Sequence, residues 1–505
     1  MRRQSGLGVP LFSLATARAW GVGEFRDLAE FAGWAAEAGQ SVLQILPINE
    51  MPPGEKSPYS AMTAMALDPI YISMADVVDF EALGGETAFG AGDARILARV
   101  RQAPRIRYEE VRDLKQRWLR KSFERFLSLE VARGTPRSAR LDEFAAAQGW
   151  WLDEYALFRA LKFQHDERAW TEWPKALAAA EPAAVQQARA ALHTEITYRK
   201  YLQWIACEQW AEAKRLAWPI RILGDLPFMI STDSPDVWAR QPEFRFDATI
   251  GVPPDEFSET GQDWGLPPWR WEVMAGNDYA WMHARARRYA DLFDGFRIDH
   301  LIGLYRMYIR PTDQARPPFF EPSNEADQIR LGETLIGILR RDVANAGADA
   351  DGSAGLDVIA EDLGVIPPFL YESMVRLGLP GMKVLRWERD WDHPDQPSSD
   401  PLEFSERSVA TTGTHDIEPL AATPEGATEA QRDAILRSLL SASSSLTLIP
   451  IQDVFGWPDR INTPAVVDDI NWTWRLPWPV DTWIDRENTV ARADALREWT
   501  RAADR

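Results

Sequence analysis

Three acidic residues stand at or just past the ends of short apolar runs. Asp299 closes Gly295-Phe296-Arg297-Ile298-Asp299, Glu361 follows Val358-Ile359-Ala360, and Asp416 follows Thr412-Gly413-Thr414-His415. Two carboxylates facing one centre are what glycosidic bond cleavage needs. One protonates the departing oxygen, and the other attacks or stabilises the oxocarbenium-like carbon. Taken singly, each acid reads as a strand-end cap; three of them at the ends of three strands read as one pocket. Arg297 precedes Asp299 by two residues, so both side chains project from the same face of a strand. A guanidinium there is expected to lower the Asp299 pKa and keep it ionised. Glu361 is expected to carry a proton, its pKa raised by the like charges of Asp299 and Asp416.

The elements that must position these residues form a repeating pattern. Eight apolar or β-branched segments read as parallel strands: 8–14, 42–48, 221–226, 295–299, 357–361, 382–387, 409–414 and 446–452. Between the first two, Leu28, Phe31, Ala32 and Ala35 recur at helical spacing and Gly39 supplies a stop. Strand, amphipathic helix and strand make a βαβ unit. Eight such strands predict a (β/α)8 TIM barrel, whose carboxyl strand ends form the active-site mouth. Residues 1–505 read as a single barrel domain. Residues 49–220 are a mostly helical insertion carrying Trp118, Leu119, Phe123, Phe126, Tyr155, Phe158, Leu161 and Phe163 near helical period. Residues 228–290 read as a cleft-covering loop and helical insertion. The tail beyond Gln452 is too short for a C-terminal β-sandwich of roughly 100 residues and ends in a helix around 486–503.

Bulk properties exclude several partners. Net charge is −20, from 76 acidic and 56 basic residues. Such a field repels phosphate backbones and anionic lipid, so neither nucleic acid nor membrane is expected as a partner. No apolar run reaches the roughly 18 to 20 residues of a membrane span. The single cysteine, Cys207, sits in an apolar run and fits a reducing compartment. The apolar stretch after Arg2-Arg3 is short and broken by Gly and Pro, so it reads as part of a strand rather than a leader, and the expected location is cytoplasmic. No metal and no cofactor is expected. Asp349-Ala350-Asp351-Gly352 lacks the acidic residues of a calcium loop, the six histidines form no His-x-x-x-His pair, and Gly21-Val22-Gly23 lacks the third glycine of a dinucleotide fingerprint.

Longer motifs carry a family resemblance. Ser57-Pro58-Tyr59-Ser60, Gly224-Asp225-Leu226-Pro227, Asp233-Ser234-Pro235-Asp236-Val237-Trp238, Gly251-Val252-Pro253-Pro254-Asp255, Gly261-Gln262-Asp263-Trp264-Gly265 and Ile449-Pro450-Ile451-Gln452-Asp453 stand beside the three acidic segments. Together they resemble the amylomaltase (4-α-glucanotransferase) family, a relative of the α-amylase enzymes, over nearly the whole chain. The resemblance implies Asp299 as nucleophile, Glu361 as general acid/base and Asp416 as a grip on sugar hydroxyls. It implies Arg297, His300, His415 and Asp225 around the same subsite, and a 255–264 loop over an α-1,4-glucan cleft. Asp255, Trp264 and Tyr59 are the expected further binding residues, with Trp264 and Tyr59 as stacking platforms for pyranose faces. The implied mechanism is retaining, for which carboxyl groups about 5 to 5.5 Å apart are required. No cofactor is implied, and a monomer or weak homo-oligomer is expected.

Some positions depart from the family pattern. Ile417-Glu418-Pro419 replaces Asn-Asp-Thr, Leu301-Ile302 replaces Phe-Arg, Glu256 stands where an aromatic is usual, and Leu266 where Asn is usual. Asn462-Thr463-Pro464-Ala465-Val466 replaces a more glycine-rich turn. These changes spare the carboxylates and bear on acceptor preference. Two other readings remain open on the residues alone: hydrolysis at the same site, and a glucan-binding protein without catalysis.

Overall fold

A computed structural model describes residues 3–254, 261–346, 358–390, 393–424, 426–464, 466 and 468–505. Eight strands run parallel: β1 Gln4–Gly8, β2 Val42–Gln44, β3 Arg221–Leu226, β4 Gly295–Ile298, β5 Val358–Ala360, β6 Gly381–Val384, β7 Ser408–Thr411 and β8 Leu446–Pro450. Their hydrogen-bonded order is β6-β7-β8-β1-β2-β3-β4-β5, so sequence neighbours are spatial neighbours throughout. Closure comes where β5 meets β6: Ala360 N–H donates to Pro380 O at 2.8 Å. The result is the expected (β/α)8 barrel.

The strands are short apolar runs because both faces are buried, one in the lumen and one under helices. Val42, Leu223, Ile359, Val409, Leu446 and Leu448 pack as a lumen cluster separate from the large outer core. The first strand lies earlier than 8–14. It pairs over Gln4–Gly8, and Leu11–Ser13 turns as a 3-10 helix, because Pro10 offers no N–H to continue the ladder. Strands five and six also end before 361 and 387. Helix Asp27–Glu37 buries Leu28, Phe31, Ala32 and Ala35. The C-terminal helix Glu487–Ala502 packs beside it, and Trp34 Nε1 donates to Thr489 O at 3.0 Å.

Between β2 and β3 the described elements are helical, the longest being Tyr108–Leu129, Pro136–Gln164 and His193–Ala217. Trp118, Leu119, Phe123, Phe126, Tyr155, Phe158 and Leu161 are buried there. Phe163 is not: it is 51% exposed, whereas the neighbouring Lys162 is buried and pairs with Asp233 at 2.7 Å.

A second sheet was not anticipated. Ala248–Val252, Gln262–Leu266, Met307–Pro311 and Phe319–Glu321 form four antiparallel strands beside the mouth. Their half-buried residues give weak alternation, and residues 255–260, between the first pair, lie outside the described residues. Asp255 and the Asp349 to Gly352 stretch also lie outside them. Among the described residues no helix is long and apolar enough to cross a membrane.

Gly39 ends helix Asp27–Glu37 at φ +74°, and a Cβ there would sit 3.1 Å from Arg497 Cα. Gly39→Ala is expected to cost about 1–2 kcal/mol, the left-handed penalty plus the displaced C-terminal helix. A urea midpoint unchanged from the parent protein would refute this account of the turn.

Candidate active site

The barrel register assembles the site. Asp225 on β3 lies directly beside Arg297 on β4, and Arg297 beside Ile359 on β5. With a side-chain period of two, Asp225, Arg297 and Ile359 form one inward layer, while Asp299 and Glu361 stand one step nearer the mouth. Their backbones continue the strand direction: Asp299 N–H donates to Leu226 O at 3.0 Å and Glu361 N–H to Ile298 O at 2.9 Å.

Arg297 is the hub. Its Nε and Nη2 grip Asp225 Oδ1 and Oδ2 at 2.9 and 2.7 Å in a bidentate fork. Nη2 also reaches Asp299 Oδ1 at 2.9 Å and the Tyr59 hydroxyl at 3.0 Å, while Nη1 lies 3.3 Å from Glu361 Oε2. The Tyr59 hydroxyl in turn donates to Asp225 Oδ2 at 2.5 Å. The guanidinium is nearly fully buried, yet Asp299 and Glu361 keep 25% and 24% of their side-chain surface open. Both carboxylates therefore face the cleft from opposite arms of one cation.

The two acids differ in what holds them. Glu361 Oε2 also accepts the His300 N–H at 2.7 Å. His300 adopts φ +49°, a left-handed conformation unusual for a residue with a side chain. That kink directly after Asp299 aims its N–H at the second carboxylate. Burial pushes Asp299 well above the usual carboxylate range; Arg297 pulls against it, and Glu361, Asp225 and Asp416 push further. Burial raises Glu361 too, but Arg297 and the His300 N–H outweigh it and leave Glu361 below its ordinary value. This reverses the expectation that Arg297 alone would keep Asp299 ionised and crowding would protonate Glu361. The reason is sharing: the guanidinium spends its strongest contacts on Asp225, and Glu361 has a backbone donor that Asp299 lacks. The surroundings therefore push the two carboxyls in opposite directions, Asp299 up and Glu361 down.

Asp416 approaches from β7. Its Oδ2 lies 3.4 Å from His415 Nε2, and its Oδ1 accepts from Asn462 Nδ2 at 2.6 Å. Arg460 Nη2 donates to the Asp416 carbonyl at 2.7 Å. Glu418, in the departing Ile417-Glu418-Pro419 segment, pairs with Arg386 at 3.0 Å and with Arg460 at 3.5 Å. The altered residues therefore brace the loop that carries Asp416.

Aromatic groups frame the opening. His415 stacks on Tyr59 with ring centroids 5.0 Å apart and planes 17° from parallel. Trp472 tilts against both, at 5.6 and 5.7 Å. Across the site Trp264, half-buried on the antiparallel sheet, meets His300 edge-on at 4.9 Å. Burial lowers the His300 pKa, so its ring is neutral near pH 7. A depression at the strand ends is lined by Gln44, Arg297, Met382, His415 and Gln452. Among the described residues no cluster of His, Cys, Asp and Glu is arranged to hold a metal.

Of the residues expected from the sequence, Tyr59, Asp225, Arg297, Asp299, Glu361 and His415 converge directly, and His300, Trp264 and Asp416 border them. Arg460 and Trp472 were not singled out, and Asn462 was named only within the departing 462–466 turn, not as a site residue. Asn462 and Arg460 act on Asp416 only through a loop that returns late in the chain. Trp472, at φ +65°, carried no signal beyond being one of 23 tryptophans.

The profile of the 4-alpha-glucanotransferase family matches residues 9–481. The 4-alpha-glucanotransferase of Chlamydia pneumoniae is 30% identical over 93% of this chain and 91% of its own length. That of Thermus thermophilus is 30% identical over 94% of this chain and 95% of its own. The structure of amylomaltase from Streptococcus agalactiae in complex with acarbose superposes with a TM-score of 0.81, 26% identity and full coverage of both chains. An amylomaltase structure from Corynebacterium glutamicum shares the fold, with a TM-score of 0.79 at 23% identity over 98% of this chain and 75% of that one.

Replacing Arg297 with Met removes the cation that, among the described residues, contacts all three clustered carboxylates. Above the ordinary carboxylate pKa the variant is expected to lose about 3–5 kcal/mol, the cost of unpaired buried charge. Its carboxylates would then have folded-state pKa values above their unfolded ones. The loss is therefore present at neutral pH and shrinks as pH falls through the raised values. Denaturant titrations at pH 7 and pH 5 check this; an equal deficit at both would refute it.

Proposed function

The chain belongs to the 4-alpha-glucanotransferase family, and we propose that it transfers α-1,4-glucan segments by a retaining double displacement on Asp299 and Glu361. In this reading Asp299 attacks the anomeric carbon while Glu361 protonates the departing glucan, giving a covalent glycosyl-enzyme. Glu361 then takes the proton of an incoming sugar 4-hydroxyl, and that oxygen displaces Asp299 with net retention. The observation that carries the proposal is the single Arg297 guanidinium within reach of both carboxylates. Such bridging supports the close spacing of about 5 to 5.5 Å that retention requires. Asp416, fixed by Asn462 and Arg460, is assigned to the sugar hydroxyls of the same subsite.

Binding roles follow from placement. Tyr59, stacked on His415, and Trp264 across the opening are assigned as platforms for flat pyranose faces, and Asp225 and Arg297 as the polar floor. Asp255 keeps its assignment on sequence alone. Tyr59 lies within 49–220 and Trp264 within 228–290, which supports a single catalytic unit over 1–505 in which both insertions build the cleft. The family acts on α-1,4-glucans such as maltodextrins, and family membership favours transfer over the hydrolytic and the non-catalytic readings. The lone Cys207 supports a reducing, cytoplasmic setting.

This chemistry makes opposite demands on the two carboxyls. Attack needs Asp299 ionised and Glu361 protonated, against the directions in which their surroundings push them, so in this reading one proton is shared between the two. Kinetically the pair titrates as a unit, with one proton in the active form.

Incubation with maltotriose is expected to give glucose together with maltodextrins longer than three units. Asp299→Asn should cut that turnover by about three orders of magnitude or more while the fold is retained. Near-normal activity of the variant, or shorter sugars alone from the parent protein, would overturn the assignment. The pH profile of kcat/KM should be a broad bell. Its alkaline limb, loss of the shared proton, lies well above the ordinary carboxylate range because Asp299 is raised. Its acid limb, gain of a second proton, lies below that range because Glu361 is lowered. A single limb near the ordinary carboxylate value would contradict the shared-proton account.

A further inference from the structure

Seven of the eight strand junctions in the barrel are ladders; the eighth, between β5 and β6, is not one among the described residues. Among the described residues two hydrogen bonds span it. One is the Ala360 N–H to Pro380 O bond at 2.8 Å. The other is made by a side chain: Asp362 Oδ1 accepts the Met382 N–H at 2.7 Å. These contacts come from the residues immediately before and after Glu361. The remaining backbone groups of Glu361 are tied to β4 and its loop, with Leu301 N–H donating to Glu361 O at 3.1 Å. Glu361 therefore sits at the apex of a two-residue staple across the weakest joint of the barrel.

Residue 381 shows that the staple is fitted closely. A Cβ at Gly381 would collide with Asp362 Oδ2 and stand 2.8 Å from its Cγ. The strand can approach the carboxylate this closely only because residue 381 has no side chain. Gly381 has an ordinary negative φ, so the backbone conformation itself does not demand glycine there.

We infer that Asp362 is a positioning residue for Glu361: its carboxylate replaces the missing strand ladder between β5 and β6 and so fixes where the acid/base presents its proton. Asp362 is not itself assigned a contact with substrate. Its half-buried carboxyl, pushed up to about 6 by burial, faces Met382 N–H, Lys383, Glu361 and the exposed Tyr371. A neutral side chain with a carbonyl oxygen would still accept the Met382 N–H, so the role belongs to the acceptor atom and not to the charge.

This inference rests on the reading of Glu361 as general acid, and the experiment separates the two. Full-length protein is compared on two donors: maltotriose, whose departing sugar must be protonated, and α-maltotriosyl fluoride, whose leaving group needs little protonation. The rate of first-turnover leaving-group release is measured. Glu361→Gln serves as the reference for lost acid catalysis, which is worth about 10²–10⁴-fold. Asp362→Ala is expected to slow release from maltotriose about 10- to 100-fold with KM changed less than about twofold, and release from the fluoride less than about threefold. Asp362→Asn should stay within about threefold of the parent on both donors. Gly381→Ala keeps Asp362 but displaces its carboxylate, and should reproduce the Asp362→Ala pattern. Equal losses on both donors, an unimpaired Asp362→Ala, or an Asp362→Asn as impaired as Asp362→Ala would overturn the positioning role. If the fluoride fails to rescue Glu361→Gln, the acid assignment of Glu361 itself falls.

Discussion

One buried cation governs the site. Arg297 is nearly inaccessible to water, so its charge survives only because acidic partners surround it. Asp225 supplies the full bidentate pairing, and the contacts left over reach Asp299 and Glu361. Burying an unpaired guanidinium would cost several kcal/mol, and so would burying three carboxylates near each other without it. Each half of the cluster is tolerable only in the presence of the other. The barrel register provides that meeting, because it sets Asp225 and Arg297 side by side on adjacent parallel strands.

The same economy explains why Asp299 and Glu361 are unequal. A guanidinium shared among three carboxylates is a weak ally for any one of them. The deciding contact is a backbone N–H from His300, available to Glu361 and not to Asp299. His300 is held in a left-handed conformation to provide it, a strain that the flanking strand and the Leu301 to Glu361 bond impose. The surroundings raise one carboxyl and lower the other, whereas the proposed chemistry needs the proton on the lowered one.

Elements outside the barrel complete the cleft, and each does so through a specific contact. Tyr59 arrives from the segment between β2 and β3 and bonds both Asp225 and Arg297. Trp264 arrives from the antiparallel sheet and meets His300. The loop after β8 returns Arg460 and Asn462 to Asp416. The Ile417-Glu418-Pro419 departure belongs to this last group. Glu418 links Arg386 on one side to Arg460 on the other, so the altered segment exchanges side chains while keeping Asp416 braced.

Several features were legible in the residues themselves. Apolar runs at parallel-strand length, the helix ended by Gly39, and acids at three strand ends depend on local pattern, and local pattern is written in one dimension. Arg297 and Asp299 on a common face followed from the two-residue period of a strand. The long motifs carried the family likeness and, with it, Tyr59, Asp225 and Trp264. Other features depend on which distant segments meet. The first strand began earlier than its apolar run suggested, because pairing with β2 and β8 chose the register. The antiparallel sheet was hidden by half-buried strands that alternate poorly. Asn462, Arg460 and Trp472 reach Asp416, Tyr59 and His415 only after the chain has closed the barrel. The proton balance was likewise beyond local reading. Charge spacing along the strand predicted Asp299 lowered and Glu361 raised, but burial depth, the sharing of Arg297 and one N–H from His300 shift them in the opposite directions, and all three exist only in three dimensions.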